Sequence, residues 1–445
     1  MANSYLNRTP SSSGNRKTFT ISAWVKISNS VNFGGIFTAW SADSSGNYFT
    51  IRFDSDRLKV TDWGTVFRQT NRLFRDRSAW YHIVVAVDTT DATADNRIKI
   101  YINGVQETSF QTNNAISQNT DTPVNNTNIH TIGTNYFTSA SQYAFDGYMS
   151  HVALVDGQAL APTVFGSTDS TSGIWKFKSP TGVTWGTNGF HLKFENSGNL
   201  GLDSSGNSNT YTVNGNGRQA LDTPSNVHAT WNPLDGYYQD GTGSNGNTTW
   251  QTINSKYSYR PATLGVSSGK FYWEVKYVAK SGGTDYPQIG ITSTQTAANK
   301  GIGDNPHDWG QYIDNNTSYL RNNSSSSAWG TAFTVGDIVG VALDCTNNKL
   351  YLSKNGVFQE SGNPSSGSNG ISITAPASTP LGLYFPAFTF YDGSTNGTFS
   401  ANFGNGYFGT TAITSAGSNG NGSLFEYDVP SGYYALNTKN INTYG

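Results

Sequence analysis

A single cysteine, Cys345, stands in 445 residues, so no intrachain disulfide forms and no cysteine cage can hold zinc. It follows an apolar run ending at Asp344, where a thiol behaves as a small buried hydrophobe and not as a nucleophile. Charge is equally scarce. Only 13% of residues are charged and the formal net charge is −2, which supplies no basic field for gripping nucleic acid or an anionic membrane. No run approaches the ~20 apolar residues that span a bilayer, and Met1 to Arg8 has neither the basic start nor the apolar stretch of a secretory signal. The expectation is a protein made in a cytosol and not inserted in a membrane. Glutamate is confined to Glu107, Glu195, Glu274, Glu360 and Glu426, while Gly, Asn, Ser and Thr abound beside 13% aromatics. That balance disfavours helix and predicts an all-β chain of strands joined by polar turns.

What is present is a duplicated pattern. Ile83 to Asp88 is an apolar strand that turns and returns through Arg97 to Ile102, ending on Asn103-Gly104; Ile338 to Asp344 turns and returns through Lys349 to Lys354, ending on Asn355-Gly356. Asn-Gly supplies the two positive backbone dihedrals of a tight hairpin turn. The copies lie roughly 250 residues apart, far beyond a solenoid period, which predicts two related domains.

In the first half, Phe19 to Lys26 alternates, with Phe19, Ile21, Ala23 and Val25 on one face. Further strands are predicted at 35–40, 48–53, 80–87, 97–102, 130–132 and 146–154, at the spacing of a two-sheet sandwich. Taken in order, Tyr5 to Pro10, Phe19 to Lys26, Trp80 to Asp88, Tyr101 to Gly104 and Phe145 to Leu154 resemble laminin-G-like, concanavalin A-type lectin domains. The resemblance covers residues 1–165. Residues 166–225 read as a connecting segment with short strands at Phe190 to Phe194 and Thr210 to Val213. Between them, Asp203-Ser204-Ser205-Gly206-Asn207 has one acidic side chain and no bidentate glutamate, so a turn is favoured over a calcium loop.

In 226–445, read as a sandwich with a C-terminal tail, the order Gly269 to Val275, Ile289 to Ile291, Trp309 to Tyr312, Val335 to Asp344, Leu350 to Gly356, Leu383 to Phe388 and Phe399 to Gly404 resembles a SPRY domain, itself a concanavalin-like sandwich, over residues 226–410. The fold class expected is therefore two antiparallel concanavalin A-like β-sandwiches joined by a short β connector. SPRY domains bind protein or peptide partners through loops at one end of the sandwich, so the resemblance implies binding without catalysis. The loop most open to a ligand is Asn315 to Ser327, flanked by Trp309, Tyr312 and Trp329 at positions where the family carries structural aromatics.

Catalysis finds no constellation. No two glutamates share a strand, as paired glycosidase carboxylates would require, and the six histidines show no metal-ligand spacing. Glu274 sits at a core-strand position of the SPRY pattern and is read as a structural hydrogen-bonder. No cofactor, metal or catalytic residue is expected. Carbohydrate binding needs aromatic platforms beside amides and carboxylates. The candidates are Trp40 with Asp43 and Asp62 with Trp63 near strand ends, the competing reading being that these tryptophans close the core.

The two sandwiches in one disulfide-free, Asn/Gly/Ser/Thr-rich chain, with the tail from Phe425 to Ile441, resemble virion surface and fibre proteins of tailed bacteriophages, marine ones above all. That resemblance implies a fibre tip or capsid decoration on the virion surface that adheres to host-surface glycan or a receptor. Its implied partners are other virion proteins and further copies of itself. The alternatives are a glycan-cleaving depolymerase and a purely architectural virion protein.

Overall fold

The computed structural model describes residues 4–28, 33–235, 241–253, 257–282, 286–294, 300–391 and 396–445. They form two compact units, Met1–Gln219 and Ala220–Gly445. Among the described residues the secondary structure is almost wholly β, with one short α-helix, Thr438–Tyr444.

The first unit is a sandwich of an eight-stranded and a six-stranded antiparallel sheet. At the centre of the larger sheet, Gly34–Trp40, Tyr48–Asp54, Arg57–Asp62 and Thr65–Thr70 pair in sequence order. In the smaller, Gly147–Asp156, Thr18–Ile27, Trp80–Asp88 and Ile98–Ile102 are neighbours. Strict alternation decides which side chains enter the core: Phe19, Ile21, Ala23 and Val25 from one sheet meet Phe49, Ile51 and Phe53 from the other. The strands of residues 166–219 are woven into this unit. Phe190–Leu192 extends the six-stranded sheet and Thr212–Asn214 pairs with Tyr5–Arg8 on the eight-stranded one. Asp203 closes its own turn by accepting from the backbone N–H groups of His191, Ser205 and Asn209.

The second unit pairs a sheet centred on Lys270–Lys280 and Ile338–Asp344 with a six-stranded sheet ordered Ser258–Pro261, Phe385–Tyr391, Tyr286–Thr292, Asp308–Asp314, Thr317–Asn322, Ser325–Ala328. Phe271, Trp273 and Val275 point into its core. Tyr272 and Glu274 point to the opposite face, where Phe425, Val429 and Tyr433 of the tail cover them. The segment predicted as an open loop, 315–327, is instead a hairpin. Asn315, Asn316, Asn323 and Ser324 all take positive φ, so the Asn/Ser composition that reads as loop supplies the two turns around Thr317–Asn322.

Both Asn-Gly pairs are hairpin turns with φ of 48° and 82° in the first copy and 49° and 82° in the second. The asparagine does more than permit the turn. Asn103 Oδ1 accepts from the His82 backbone N–H at 2.8 Å, and Asn355 Oδ1 accepts from Ile338 N–H at 2.9 Å, so each side chain ties its turn to the preceding strand. Each glycine also lies under an aromatic ring from a later segment. A Cβ on Gly104 would meet Trp175 at 2.5 Å, and one on Gly356 would meet Tyr427 at 2.5 Å. Gly104→Ala is expected to cost about 1–2 kcal/mol, from positive φ and the displaced ring together, read as a lowered urea midpoint for the first unit.

Candidate functional site

On the outer face of the eight-stranded sheet, Tyr48, Thr50 and Arg52 stand opposite the core residues Phe49, Ile51 and Phe53. The hairpin of Thr134–Phe137 and Ala140–Ala144 packs against Gly34–Trp40 and walls a cavity of about 460 Å³ over that face. Its walls are aromatic, from Phe33, Tyr48, Trp63, Phe137 and Tyr143, with Arg52 and Asn135 among its polar groups. The Tyr48 hydroxyl donates to Asn135 Oδ1, and Arg52 Nη1 reaches that hydroxyl at 3.5 Å. Burial raises the Tyr48 phenol above its ordinary range, keeping it a neutral donor.

Asp62 and Trp63 both line this cavity. Trp63 is 37% exposed at its rim and packs edge-on to Tyr48. The Asp62 carboxylate is already engaged by Ser45 Oγ, Gly46 N and Trp63 N at 2.7–2.8 Å. Trp40 and Asp43 act as a clasp: Trp40 Nε1 donates to Asp43 at 2.7 Å, and Asp43 accepts from Thr138 N at the tip of the covering hairpin. Sequence reading did not single out Tyr48, Arg52, Asn135, Phe137 or Tyr143. The signal for the first two was the alternation of 48–53, which places a tyrosine and an arginine on the face away from the core.

In the second unit, Trp309 is 7% exposed and packs on Tyr384 inside the core, with Trp329 half-buried against the same cluster. Tyr312 stands on the other face of its strand. There it belongs to a row across the sheet: Tyr257 against Tyr391 at 4.6 Å, Tyr391 against Tyr286 at 5.9 Å, Tyr286 against Tyr312 at 6.2 Å, and Tyr312 against Tyr319 at 6.1 Å. Arg321 lies 5.1 Å from the Tyr312 ring, held by Asp304 through Nε at 2.8 Å. Burial pushes the Tyr312 hydroxyl up to about 12.

Groups with catalytic potential are occupied structurally. Ser22 Oγ lies 2.9 Å from His82 Nε2, the outline of a serine–histidine pair. Trp175 Nε1, which can only donate, bonds His82 Nδ1 at 3.0 Å. The imidazole must therefore carry its proton on Nε2 and donate to Ser22, so it cannot accept the serine proton; burial lowers its pKa to about 3. Glu274 accepts from the Glu426 and Tyr427 backbones, the Tyr272 hydroxyl and Asn402 Nδ2. Burial pushes the Cys345 thiol up to about 12. Among the described residues no group of three His, Cys, Asp or Glu could hold a metal.

Comparison with known proteins agrees with this architecture. Residues 2–164 match the concanavalin A-like lectin/glucanases superfamily, and residues 270–406 match the SPRY domain. Relatives include a Ran-binding proteins 9/10 homolog of Drosophila melanogaster, 27% identical over 133 residues, which are 28% of this chain and 14% of that protein. Ran-binding protein 9 of Homo sapiens is 31% identical over 96 residues, 22% of this chain and 12% of that protein. The chain thus spans only a small part of these relatives. Solved structures with some likeness include the SPRY domain of human HERC1, at 16% identity and TM-score 0.28 over 34% of this chain and 86% of that one, and stonustoxin, at 19% and 0.28 over 39% and 27%.

The relatives are animal proteins named for Ran binding, which overturns the expected phage virion role together with the virion partners and virion-surface location that followed from it. The reason is physical: the segments that carried the phage resemblance are strands and turns, which specify a sandwich and not the setting in which it works. The chain carries a concanavalin A-like domain of the laminin-G type followed by a SPRY domain.

Proposed function

We propose that this chain is a non-enzymatic binding protein whose SPRY unit docks a segment of a protein partner against the tyrosine row. The observation that carries the reading is the row itself, with Tyr391 directly opposite Tyr286, Tyr312 directly opposite Tyr319, Tyr286 and Tyr312 diagonal neighbours, and Arg321 fixed over Tyr312. Tyrosine and arginine are enriched in binding hot spots; tyrosine offers a large flat contact area for little lost side-chain freedom, and Arg321 is already held in place by Asp304. The His82 tautomer and the fully bonded Glu274 speak against a catalytic role for either.

Because the relatives carry Ran binding in their names, Ran is the first partner to test. Surface plasmon resonance of the full chain over immobilised Ran is expected to give saturable binding. Tyr286→Ala with Tyr312→Ala is expected to weaken it by roughly 30-fold, the size of a hot-spot loss of about 2 kcal/mol. Unchanged binding by the double variant would move the site off this face. No binding at about 100 μM would remove Ran as the partner.

A further inference from the structure

The cavity of the first unit contains two hydrogen-bond donors with nothing to donate to. Asn135 has no exposed surface, and its Nδ2 is buried without a partner; the same holds for Arg52 Nε. Their orientation follows from the hydroxyl between them. Arg52 Nη1 can only donate, so the Tyr48 oxygen accepts from it and gives its own proton to Asn135 Oδ1, which turns the Asn135 amide N–H groups away from Tyr48. An unpaired buried donor costs roughly 1–3 kcal/mol, more when it belongs to a charged group.

The charge balance has the same sign. Arg52 has no carboxylate partner among the described residues, and its guanidinium lies 4.6 Å from the Phe33 ring. The neighbouring cation across the sheet, Lys59, is neutralised by Asp54 at 2.7 Å. The acid on the wall, Asp62, has its oxygens filled by three donors of its own loop. What is left is one uncompensated positive group and one amide donor between flat apolar walls.

We propose that this cavity binds a small carboxylate carried on a ring, the acid oxygens accepting from Arg52 and Asn135 while the ring lies against Trp63, Phe137 and Tyr143. An arginine and an amide side by side offer a carboxylate charge-assisted bonds that no neutral ligand reproduces. A cavity of about 460 Å³ takes a ligand of one or two rings. The ring is supplied equally well by a sugar acid or by an aromatic acid, and the probes separate these sources.

Isothermal titration of the full chain with glucuronate and with benzoate, against glucose and benzyl alcohol as neutral counterparts, tests the proposal. At least one acid is expected to bind about tenfold or more tightly than its neutral counterpart, and which acid does so identifies the ring. Arg52→Met, which keeps an unbranched side chain without the charge, is expected to abolish the preference, and Arg52→Lys to retain part of it. Should Arg52→Met fail to fold, Trp63→Ala at the exposed rim is expected to weaken the bound acid without changing the melting temperature. Equal binding of acid and neutral probes, undiminished acid binding by Arg52→Met or, in its place, by Trp63→Ala, or no heat from either acid at about 10 mM would overturn the proposal.

Discussion

Lowering the pH from 7 to 5 is expected to weaken the first unit and strengthen the second. In the first, burial lowers His82 to about 3 and His130 and His191 to about 4, from an ordinary 6.5. A histidine held neutral in the fold but free to protonate when unfolded contributes stability that is complete above 6.5 and lost as pH falls toward the folded value. At pH 5 each has forfeited roughly 2 kcal/mol, so the three together approach roughly 6 kcal/mol, a large share of the 5–15 kcal/mol of an ordinary domain. His151, stacked on Phe177 and lowered to about 3, adds in the same direction.

The second unit carries the opposite sign. Burial raises Glu274 to about 7 and Asp308 to about 6, so the folded state holds protons that the unfolded chain releases, and stability rises as pH falls from 7 toward the ordinary carboxylate range. The gain at pH 5 is roughly 3 kcal/mol for the pair. Hydrogen exchange resolved by unit at the two pH values checks both signs. Movement of both units in one direction would defeat the account.

Glu274→Ala is expected to destabilise the second unit by about 3–5 kcal/mol, because one carboxylate satisfies four donors that the variant leaves without their acceptor. Two of those donors are the backbone N–H groups of Glu426 and Tyr427, so the loss falls on the tail that crosses the sheet from Phe425. Limited proteolysis is expected to cut this tail first, with the remaining chain still folded around Trp231 and Trp273. Glu274→Gln keeps the shape without the charge and is expected to cost less while removing the Glu274 part of the pH response. A tail as resistant in Glu274→Ala as in the parent would show that Phe425, Val429 and Tyr433 hold it by packing alone.

Much of this was legible in the sequence. Phe19 to Val25 and Phe271 to Val275 place their side chains as period-2 alternation requires, and both Asn-Gly pairs make the turns they encode. Glu274 was readable as a structural acceptor from its position among core residues. The hairpin at 315–327 was not, because Asn and Ser serve equally in loops and in the tight turns of edge strands. Nor was the place of Tyr312: Trp309 packs in the core as a structural aromatic, whereas Tyr312, three residues on, has the opposite strand parity and joins the tyrosine row.

The sequence by itself determined an all-β chain without disulfides, built of two sandwiches that share a hairpin device, since alternation and turn chemistry are local and survive without any knowledge of partners. Only the tertiary structure decided which polar atoms are spent and which are free. Asp62 lost its availability to Ser45 and Gly46, and the His82 Nδ1 lone pair was taken by Trp175, 93 residues away. Arg52 and Asn135 were brought together by a hairpin folding over a sheet. Those pairings are long-range, and no periodicity within a strand records what will lie across from it.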